Sequence, residues 1–172
     1  NNNFKLSPLR IHLHKNIPLG SGLGGGSSDG VFMLNLLNDL FCLKLSQEEL
    51  LNYSLQLGSD CPFFIFNTFS NVSGLGHEIK AVNYSFQNYY IVIIKPNIHC
   101  STSDIFAQYT QVKKSKSYLS FNSNINTWKT KFVNDLEKVT FSLYPELQEI
   151  KDYLYSLGSV YASMSGSGSA VY

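Results

Sequence analysis

Residues 15–29 read Lys-Asn-Ile-Pro-Leu-Gly-Ser-Gly-Leu-Gly-Gly-Gly-Ser-Ser-Asp, and this segment decides the fold. Five of the seven positions from Gly20 to Gly26 are glycine, and an amphipathic helical pattern follows directly. Glycine lets backbone N–H groups turn towards a ligand with no Cβ in the way. The beginning of a helix adds unpaired N–H donors and a partial positive charge. The segment therefore predicts an anion-binding loop whose usual ligand is phosphate.

The context of this loop argues against three other interpretations. Gly20, Gly22 and Gly25 have the Gly-x-Gly-x-x-Gly spacing of dinucleotide-binding folds, but a second helical pattern follows where that fold requires a strand. A P-loop would end in Gly-Lys-Ser or Gly-Lys-Thr, and no lysine stands there. A flexible linker would not lie between an alternating strand pattern and a helix pattern. A built phosphate-binding loop is therefore preferred.

The composition indicates one globular domain or a domain and a half. The 172 residues are 44% hydrophobic, which is enough for a core. A formal net charge of +1 offers no basic surface of the kind that binds nucleic acid. The three cysteines lack metal-binding spacing and indicate reduced thiols, and no apolar run reaches the length of a membrane span. We therefore expect a cytoplasmic protein that binds neither nucleic acid nor membrane. Our expectation for its oligomeric state is a monomer or weak homodimer.

The hydrophobic periodicity predicts a mixed α and β order. The first half is predicted to contain a half-buried strand over 9–13 and a helix from the glycine loop to about Cys42. The capping box Ser46-x-x-Glu49 opens a second predicted helix, and Gly58 ends it. A buried apolar segment is predicted over 63–66, and a turn between extended pieces within 71–79. The second half is predicted to begin with a central strand over 89–94 and a short helix capped by Ser101 or Ser103. A mobile polar loop is predicted over 113–126. Helices over 128–141 and 145–157 and a strand over 160–164 are predicted after it. A domain boundary is expected near residues 80–88.

Two further motifs accompany the glycine loop. Residues 57–64 read Leu-Gly-Ser-Asp-Cys-Pro-Phe-Phe, and residues 162–172 read Ala-Ser-Met-Ser-Gly-Ser-Gly-Ser-Ala-Val-Tyr. In this order the three motifs resemble those of the GHMP small-molecule kinases, which read roughly Ile-Pro-x-Gly-x-Gly-Leu-Gly-Gly-Gly-Ser-Ser, Gly-Ala-Asp-Val-Pro-Phe-Phe and Ser-Gly-Ser-Gly. Ser59 and Cys61 replace the usual alanine and valine. The resemblance covers residues 15–172.

The resemblance implies an α+β GHMP kinase fold of two domains with the nucleotide site between them. Residues 1–84 would be part of the N-terminal ATP-binding domain and residues 85–172 part of the C-terminal domain. The implied activity is transfer of phosphate to an alcohol group, with ATP and Mg²⁺ as cofactors. The motifs are closest to members whose small-molecule substrate is a cytidyl diphosphate sugar alcohol of non-mevalonate isoprenoid biosynthesis. A homoserine- or mevalonate-type member of the family is the alternative.

The resemblance assigns the glycine loop to the ATP triphosphate. The residues that it implies are Lys15, Pro18, Gly20, Gly22, Leu23, Gly24, Gly25, Gly26, Ser27 and Ser28. The hydroxyls of Ser27 and Ser28 can reach a phosphate oxygen, and Ser27 is the candidate ligand of Mg²⁺. Helix capping is an alternative role for both serines and is compatible with phosphate binding. An ordinary surface position is the alternative for Lys15.

Asp60 is the candidate catalytic residue. It lies in a tight connector beside apolar residues, where a carboxylate would be partly desolvated and could accept a hydroxyl proton. From the residues alone, an aspartate that caps a turn is the stronger interpretation. The resemblance reverses that preference, because the catalytic aspartate of the family occupies this motif position. Asp29 is expected in the first helical turn, where it would stabilise the helix dipole.

The second glycine motif and the segment near residue 102 are the candidate substrate side. The resemblance places Ser165, Gly166, Ser167 and Gly168 against the substrate phosphates, and a simple glycine-rich turn is the alternative. Thr102 and Phe106 match a family segment in which a threonine and a phenylalanine contact cytosine. An aromatic face suits base stacking. A core-facing Phe106 is the alternative.

Two other groups of polar residues are expected to be structural. His12 and His14 share a face of the predicted strand, but no third ligand stands at metal-binding spacing, so we expect a solvated strand face. Residues 134–137, Asn-Asp-Leu-Glu, match a further family stretch and are interpreted as structural support.

The chain departs from the family pattern at its ends. The family begins with a strand of the type Pro-Ala-Lys-x-Asn-x-x-Leu, whose lysine lies near the reacting phosphate, and the residues before the glycine loop do not match it. Tyr172 falls within the strand expected after the last motif. We therefore expect an internal fragment of a longer protein that is inactive by itself. A nucleotide-binding module without catalysis is the alternative function.

Overall fold

The computed structural model of the chain describes Phe4, residues 6–109 and residues 124–172. These residues form two compact units. Unit 1 consists of the described residues up to Pro18 and of Gly24–Val82, and unit 2 consists of Leu19–Leu23 and the described residues from Asn83 onward. The chain therefore passes from unit 1 to unit 2 and back inside the glycine loop. Most of the predicted mobile loop over 113–126 lies outside the described residues.

The described elements are helical apart from one hairpin. Unit 1 contains α1 (Gly25–Leu40), α2 (Gln47–Leu57), α3 (Cys61–Phe66), β1 (Ser70–Ser73) and β2 (Glu78–Ala81). Unit 2 contains α4 (Thr102–Gln108), a 3₁₀ turn (Ile125–Thr127), α5 (Trp128–Lys131), α6 (Glu137–Leu143) and α7 (Pro145–Ser156). No helix in the described part of the chain is long and apolar enough to cross a bilayer.

The helices of unit 1 begin and end where local chemistry predicts. In the capping box of α2, the Ser46 hydroxyl accepts from the Glu49 amide and the Glu49 carboxylate accepts from the Ser46 amide at 2.8 Å. These hydrogen bonds to the carboxylate lower the pKa of Glu49. Gly58 follows the last residue of α2, and Asp60 and Pro62 open α3. Both α2 and α3 pack against α1, which places the start of α3 beside the glycine loop.

The hairpin confirms the predicted turn within residues 71–79. β1 and β2 pair antiparallel, with Ser70 opposite Ala81 and Ser73 opposite Glu78. Gly74 and Gly76 both have positive φ in the connecting turn. A Cβ on Gly76 would lie 1.8 Å from the carbonyl oxygen of Ser59, so the turn packs directly on the connector that contains Asp60.

The core of unit 2 lies between α4, α7 and the second glycine motif. Cys100, Ile105, Leu147 and Met164 form one buried cluster, and Leu154, Ala162 and Val171 form another. Val171 lies between Ile94 and Met164 and forms antiparallel bridges with both. This pairing holds the residues on either side of the second glycine motif against each other.

Three strand predictions are wrong for the described residues, and the one over 160–164 is reduced to an isolated bridge at Met164. Residues 9–13 form no strand, and Leu13 is 58% exposed. Residues 89–93 are likewise unpaired, and only Ile94 forms a bridge. A strand is stabilised by hydrogen bonds to a neighbouring strand, and among the described residues neither segment finds one. The alternating pattern identified apolar residues suited to a sheet but not their partners.

The predicted helix over 128–141 is divided by a non-helical connection. α5 ends at Lys131, and Phe132 has φ −107° and ψ 83°. The side-chain oxygen of Asn134 then accepts from the Leu136 amide at 3.0 Å, and the Asn134 carbonyl accepts from the Glu137 amide at 3.0 Å. Asparagine competes for backbone groups in this way and interrupts helices. The helix predicted over 145–157 is confirmed as α7.

Candidate active site

The beginning of α1 provides open backbone donors in unit 1. Its N-cap is Gly24, which has φ 69° and no side chain to accept from the first helical amides. The first intrahelical bond is donated by the Ser28 amide to the Gly24 carbonyl at 2.9 Å. The amides of Gly25, Gly26 and Ser27 precede that bond, and a Cβ on Gly26 would meet nothing within 4 Å. A phosphate can therefore approach these N–H groups closely.

The two serines after the glycines have different surroundings. The Ser28 hydroxyl donates to the Gly25 carbonyl at 3.0 Å and is thus engaged within the helix. Neither serine is the N-cap, which is Gly24. Among the described residues the half-buried Ser27 hydroxyl has no hydrogen-bond partner, so it is the oxygen available to a ligand.

Lys15 and Asp29 form an ion pair beside the glycine loop. The Lys15 ammonium contacts the Asp29 carboxylate, and both side chains are partly buried. The expected position of Asp29 in the first helical turn is wrong, because α1 begins at Gly25 and its first turn contains no acid. Ile17 packs where a Cβ on Gly25 would stand, at 3.2 Å, and Pro18 is exposed. The ion pair therefore ties the segment before the loop to α1.

Asp60 lies at the beginning of α3 with its side chain exposed. The expected partial desolvation is wrong, because Asp60 is exposed to solvent. The side chain also makes no capping hydrogen bond to α3. One turn further, the Phe64 ring lies 3.0 Å from the position of a Cβ on Gly24. Asp60 is thus carried by a helix that packs on the glycine loop.

The remaining loop residues, Leu19–Leu23, dock on the second glycine motif in unit 2. The Ala170 amide donates to the Ser21 carbonyl at 3.0 Å, and the Ser165 hydroxyl donates to the Gly22 carbonyl at 2.9 Å. A Cβ on Gly22 would lie 2.2 Å from the Ser165 carbonyl oxygen, so only glycine fits there. Gly20 has φ 64° and faces His99, and the Leu23 amide donates to the Ser21 hydroxyl. Two of the three motifs are therefore in direct contact.

The residues of the second glycine motif are not equivalent. Gly166 is exposed, whereas Gly168 is buried, and a Cβ on Gly168 would lie 3.1 Å from the Met164 sulfur. Packing thus accounts for glycine at position 168, and its contact with substrate stays a prediction. Ser167 is half-buried, and its hydroxyl forms a 2.8 Å hydrogen bond with that of Thr102. The structure therefore joins Thr102 to this motif.

Phe106 faces solvent on α4. It is 55% exposed, while its neighbour Ile105 is fully buried in the core. Ser101 caps the helix by accepting from the Asp104 amide. The core-facing interpretation of Phe106 is therefore wrong, and its ring is available to a ligand.

A cleft of about 400 Å³ opens beside the second glycine motif within unit 2. It is lined by Lys131, Phe132, Val133, Asn134, Tyr161, Ser163, Met164, Ser165, Gly166 and Tyr172. Burial raises the pKa of the Tyr161 and Tyr172 hydroxyls above the ordinary tyrosine value. The sequence did not predict this cleft, because its walls come from segments that no local pattern connects.

The described residues contain no cluster of three histidine, cysteine, aspartate or glutamate side chains able to hold a metal. His12 and His14 are exposed. Asn134 and Glu137 hydrogen-bond to residues 163–166, which agrees with the structural role expected for that stretch.

Two profiles of one protein family match this chain, one in its N-terminal part and one in its C-terminal part. The profile of the GHMP kinases N terminal domain matches residues 1–68, and that of the GHMP kinases C terminal domain matches residues 115–172. The chain belongs to the GHMP kinase family. The α+β GHMP fold expected from the motifs is thereby confirmed.

Curated relatives of this GHMP kinase chain share much of its sequence. It is 46% identical over 171 residues to "4-diphosphocytidyl-2-C-methyl-D-erythritol kinase" of Azobacteroides pseudotrichonymphae, covering 98% of this chain and 64% of the relative. It is 46% identical to the protein of that name in Bacteroides thetaiotaomicron, covering 98% and 62%, and 35% identical to that in Clostridium botulinum, covering 96% and 61%. The chain thus spans somewhat less than two thirds of the length of these relatives.

A solved structure shares the fold. The crystal structure of a "4-(cytidine 5'-diphospho)-2C-methyl-D-erythritol kinase" matches with a TM-score of 0.70 and 28% identity, covering 91% of this chain and 58% of that chain. The curated relatives and the solved structure that this chain resembles therefore carry the name of the same kinase within the GHMP family.

Proposed function

We propose that the protein transfers the γ-phosphate of ATP to the C2 hydroxyl of 4-diphosphocytidyl-2-C-methyl-D-erythritol. The observation that carries this proposal is the open N-terminus of α1 behind a glycine N-cap, which suits a triphosphate. The choice of alcohol substrate is supported by the relatives, which carry the name of a kinase for this compound and are up to 46% identical over 98% of the chain. The reaction itself requires little more than positioned phosphates and a prepared hydroxyl.

The residues of unit 1 would hold ATP and receive the proton. The amides of Gly25, Gly26 and Ser27 would donate to phosphate oxygens, and the Lys15–Asp29 ion pair would keep the preceding segment in place. The exposed Asp60 carboxylate would orient the attacking hydroxyl and accept its proton.

Mg²⁺ would offset phosphate charge when bound with ATP. The residues fit it modestly, because the free Ser27 hydroxyl supplies one oxygen and the described residues offer no cluster of carboxylates. Mg²⁺ commonly keeps several waters and takes its other ligands from one or two carboxylates and from substrate phosphates, so the Ser27 hydroxyl would supply one ligand among several.

The residues of unit 2 would hold the second substrate. Thr102 and Ser167 present two linked hydroxyls, and the exposed Phe106 ring would stack on cytosine. Ser165, Gly166 and Gly168 would line the substrate phosphates, with the Ser165 hydroxyl donating to Gly22. We further propose that residues 1–84 and 85–172 belong to the two GHMP domains and that the protein acts in the cytoplasm as a monomer or weak homodimer.

A transfer assay tests the proposed function. The full-length protein is incubated with ATP labelled at the γ-phosphate and with the cytidyl substrate, homoserine or mevalonate in separate reactions. We expect label to appear in the cytidyl compound alone. Transfer to one of the other alcohols would identify a different member of the family, and binding of an ATP analogue without any transfer would favour a non-catalytic nucleotide-binding module.

We expect Phe106→Ala to weaken binding of the cytidyl substrate by about 1–3 kcal/mol, the range for loss of one base–aromatic stack. The affinity for ATP and the melting temperature should stay unchanged, because the ring is exposed. Ile105→Ala is the matched control and should cost about 2–5 kcal/mol of stability, as is usual for a buried isoleucine. Calorimetry with each ligand and thermal melts provide the measurements. An equal loss of affinity for both ligands would contradict the stacking role.

A further inference from the structure

Asn134, in the connection between α5 and α6, and Glu137, the first residue of α6, hold the segment that leads into the second glycine motif. Glu137 is only 6% exposed, and its Oε1 accepts from the Met164 amide at 2.8 Å and from the Ser163 hydroxyl at 3.2 Å. Its Oε2 accepts from the Lys151 ammonium of α7 at 2.5 Å. Burying a carboxylate without partners costs free energy, so Glu137 is expected to keep these three contacts and to hold residues 163 and 164 in place.

Asn134 continues this contact into the motif itself. Its side-chain Nδ2 donates to the Met164 carbonyl at 2.9 Å and to the Gly166 carbonyl at 2.7 Å. Its Oδ1 accepts from the Leu136 amide at 3.0 Å, which fixes the orientation of the amide group. Both N–H donors of one side chain are therefore used on the backbone of residues 164–166. Gly166 has φ 57°, a conformation that glycine adopts without strain, so the hydrogen bonds from Asn134 select one of the several conformations open to this exposed residue.

The Ser165–Gly168 loop also contacts the first glycine motif. The Ser165 hydroxyl donates to the Gly22 carbonyl, and the amides of Ser165 and Gly168 close the turn through the Ala170 and Ser165 carbonyls at 2.9 Å. The path from Asn134 to Gly22 thus runs through three consecutive residues of unit 2. A shift of the Gly166 carbonyl would therefore move the Ser165 hydroxyl as well.

We propose that Asn134 is a positioning residue that fixes the Ser165–Gly168 loop in the conformation that binds phosphate groups. The proposal rests on the proposed function, because that function gives the loop its ligand. Asn134 itself contacts neither substrate nor reacting atoms in this scheme. It acts through the Gly166 carbonyl and, beyond it, through Ser165.

The test uses Asn134→Asp in the full-length protein. The substitution keeps the shape but replaces the two N–H donors with a carboxylate oxygen that faces two carbonyls. Asn134→Ala, which is uncharged, is the second variant in case the aspartate prevents folding. Asn126→Asp is the matched control, because it makes the same chemical change at an exposed position of the 3₁₀ turn.

Hydrogen exchange and kinetics are measured on each variant at a temperature where circular dichroism shows a folded protein. We expect at least tenfold faster exchange at the amides of Gly168 and Ala170, with the buried amides of α7 unchanged. We also expect kcat/KM for the alcohol substrate to fall at least tenfold, while KM for ATP changes by less than threefold. The control should match wild type in both measurements.

The outcomes separate this proposal from the proposed function. Exchange that rises equally in the loop and in α7 would show a purely structural role and would overturn positioning, as would kcat/KM within threefold of wild type. A wild-type protein without phosphoryl transfer would contradict the proposed function. In that case the exchange at Gly168 and Ala170 alone would decide whether Asn134 positions the loop.

Discussion

We expect Asp60→Asn to lower kcat of the full-length protein by about 10²-fold or more, the scale on which general-base catalysis contributes. The amide keeps the size and exposure of the side chain but cannot accept a proton. ATP affinity should change little, because the phosphate donors lie at the N-terminus of α1 rather than on Asp60. Steady-state kinetics together with calorimetry of an ATP analogue provide the measurement.

Asp39→Asn is the control for this prediction. Asp39 lies exposed in the last turn of α1, where a negative charge is unfavourable to the helix dipole, so its neutralisation should leave kcat unchanged. The same variant tests the alternative role of Asp60 as a residue that caps a turn. Because the Asp60 side chain makes no capping hydrogen bond to α3, Asp60→Asn should not alter the melting temperature. Turnover within about threefold of wild type would show that Asp60 takes no part in the chemistry.

The parts of the fold that the sequence predicted are those that depend on near neighbours in the chain. The capping box of Ser46 and Glu49, the stop at Gly58 and the turn at Gly74–Gly76 each involve groups within a few residues of one another. Strand formation over 9–13 and 89–93 depends on pairing with a distant segment, and periodicity carries no information on where that segment is. Those two predictions failed for that reason.

The candidate site shows the same division. The glycine loop and the helix after it were predicted because glycine and helix chemistry are local. The hydrogen bond from Ser165 to Gly22 joins residues 143 positions apart, and only the structure brings them together. The roles of Asn134 and Glu137 were likewise beyond local patterns, although the family resemblance had identified that stretch as structural support. The polar pair Asn134-Asp135 was the local signal in the sequence, but an uninterrupted helix over 128–141 was predicted there.

We expect Gly24→Val to abolish binding of a non-hydrolysable ATP analogue while most of the fold is retained. Gly24 has φ 69°, a region in which a β-branched residue is a genuine outlier. A Cβ at this position would also lie 3.0 Å from Cζ of Phe64. The backbone must therefore rearrange at the N-cap, and the following N–H groups of α1 would no longer converge on a phosphate. Calorimetry measures the binding, and thermal melts monitor the fold.

Gly30→Ala separates this local effect from a general sensitivity of α1 to larger side chains. Gly30 lies inside the same helix, and its Cβ would make an ordinary 3.5 Å contact with Leu57. Alanine should therefore stabilise the helix by about 1 kcal/mol and leave the affinity for the analogue unchanged. If Gly24→Val binds the analogue as tightly as wild type, phosphate does not approach the beginning of α1. The glycine-rich segment would then serve the contacts of Gly22 with the second motif rather than ATP, and the proposed function would lose the observation on which it depends.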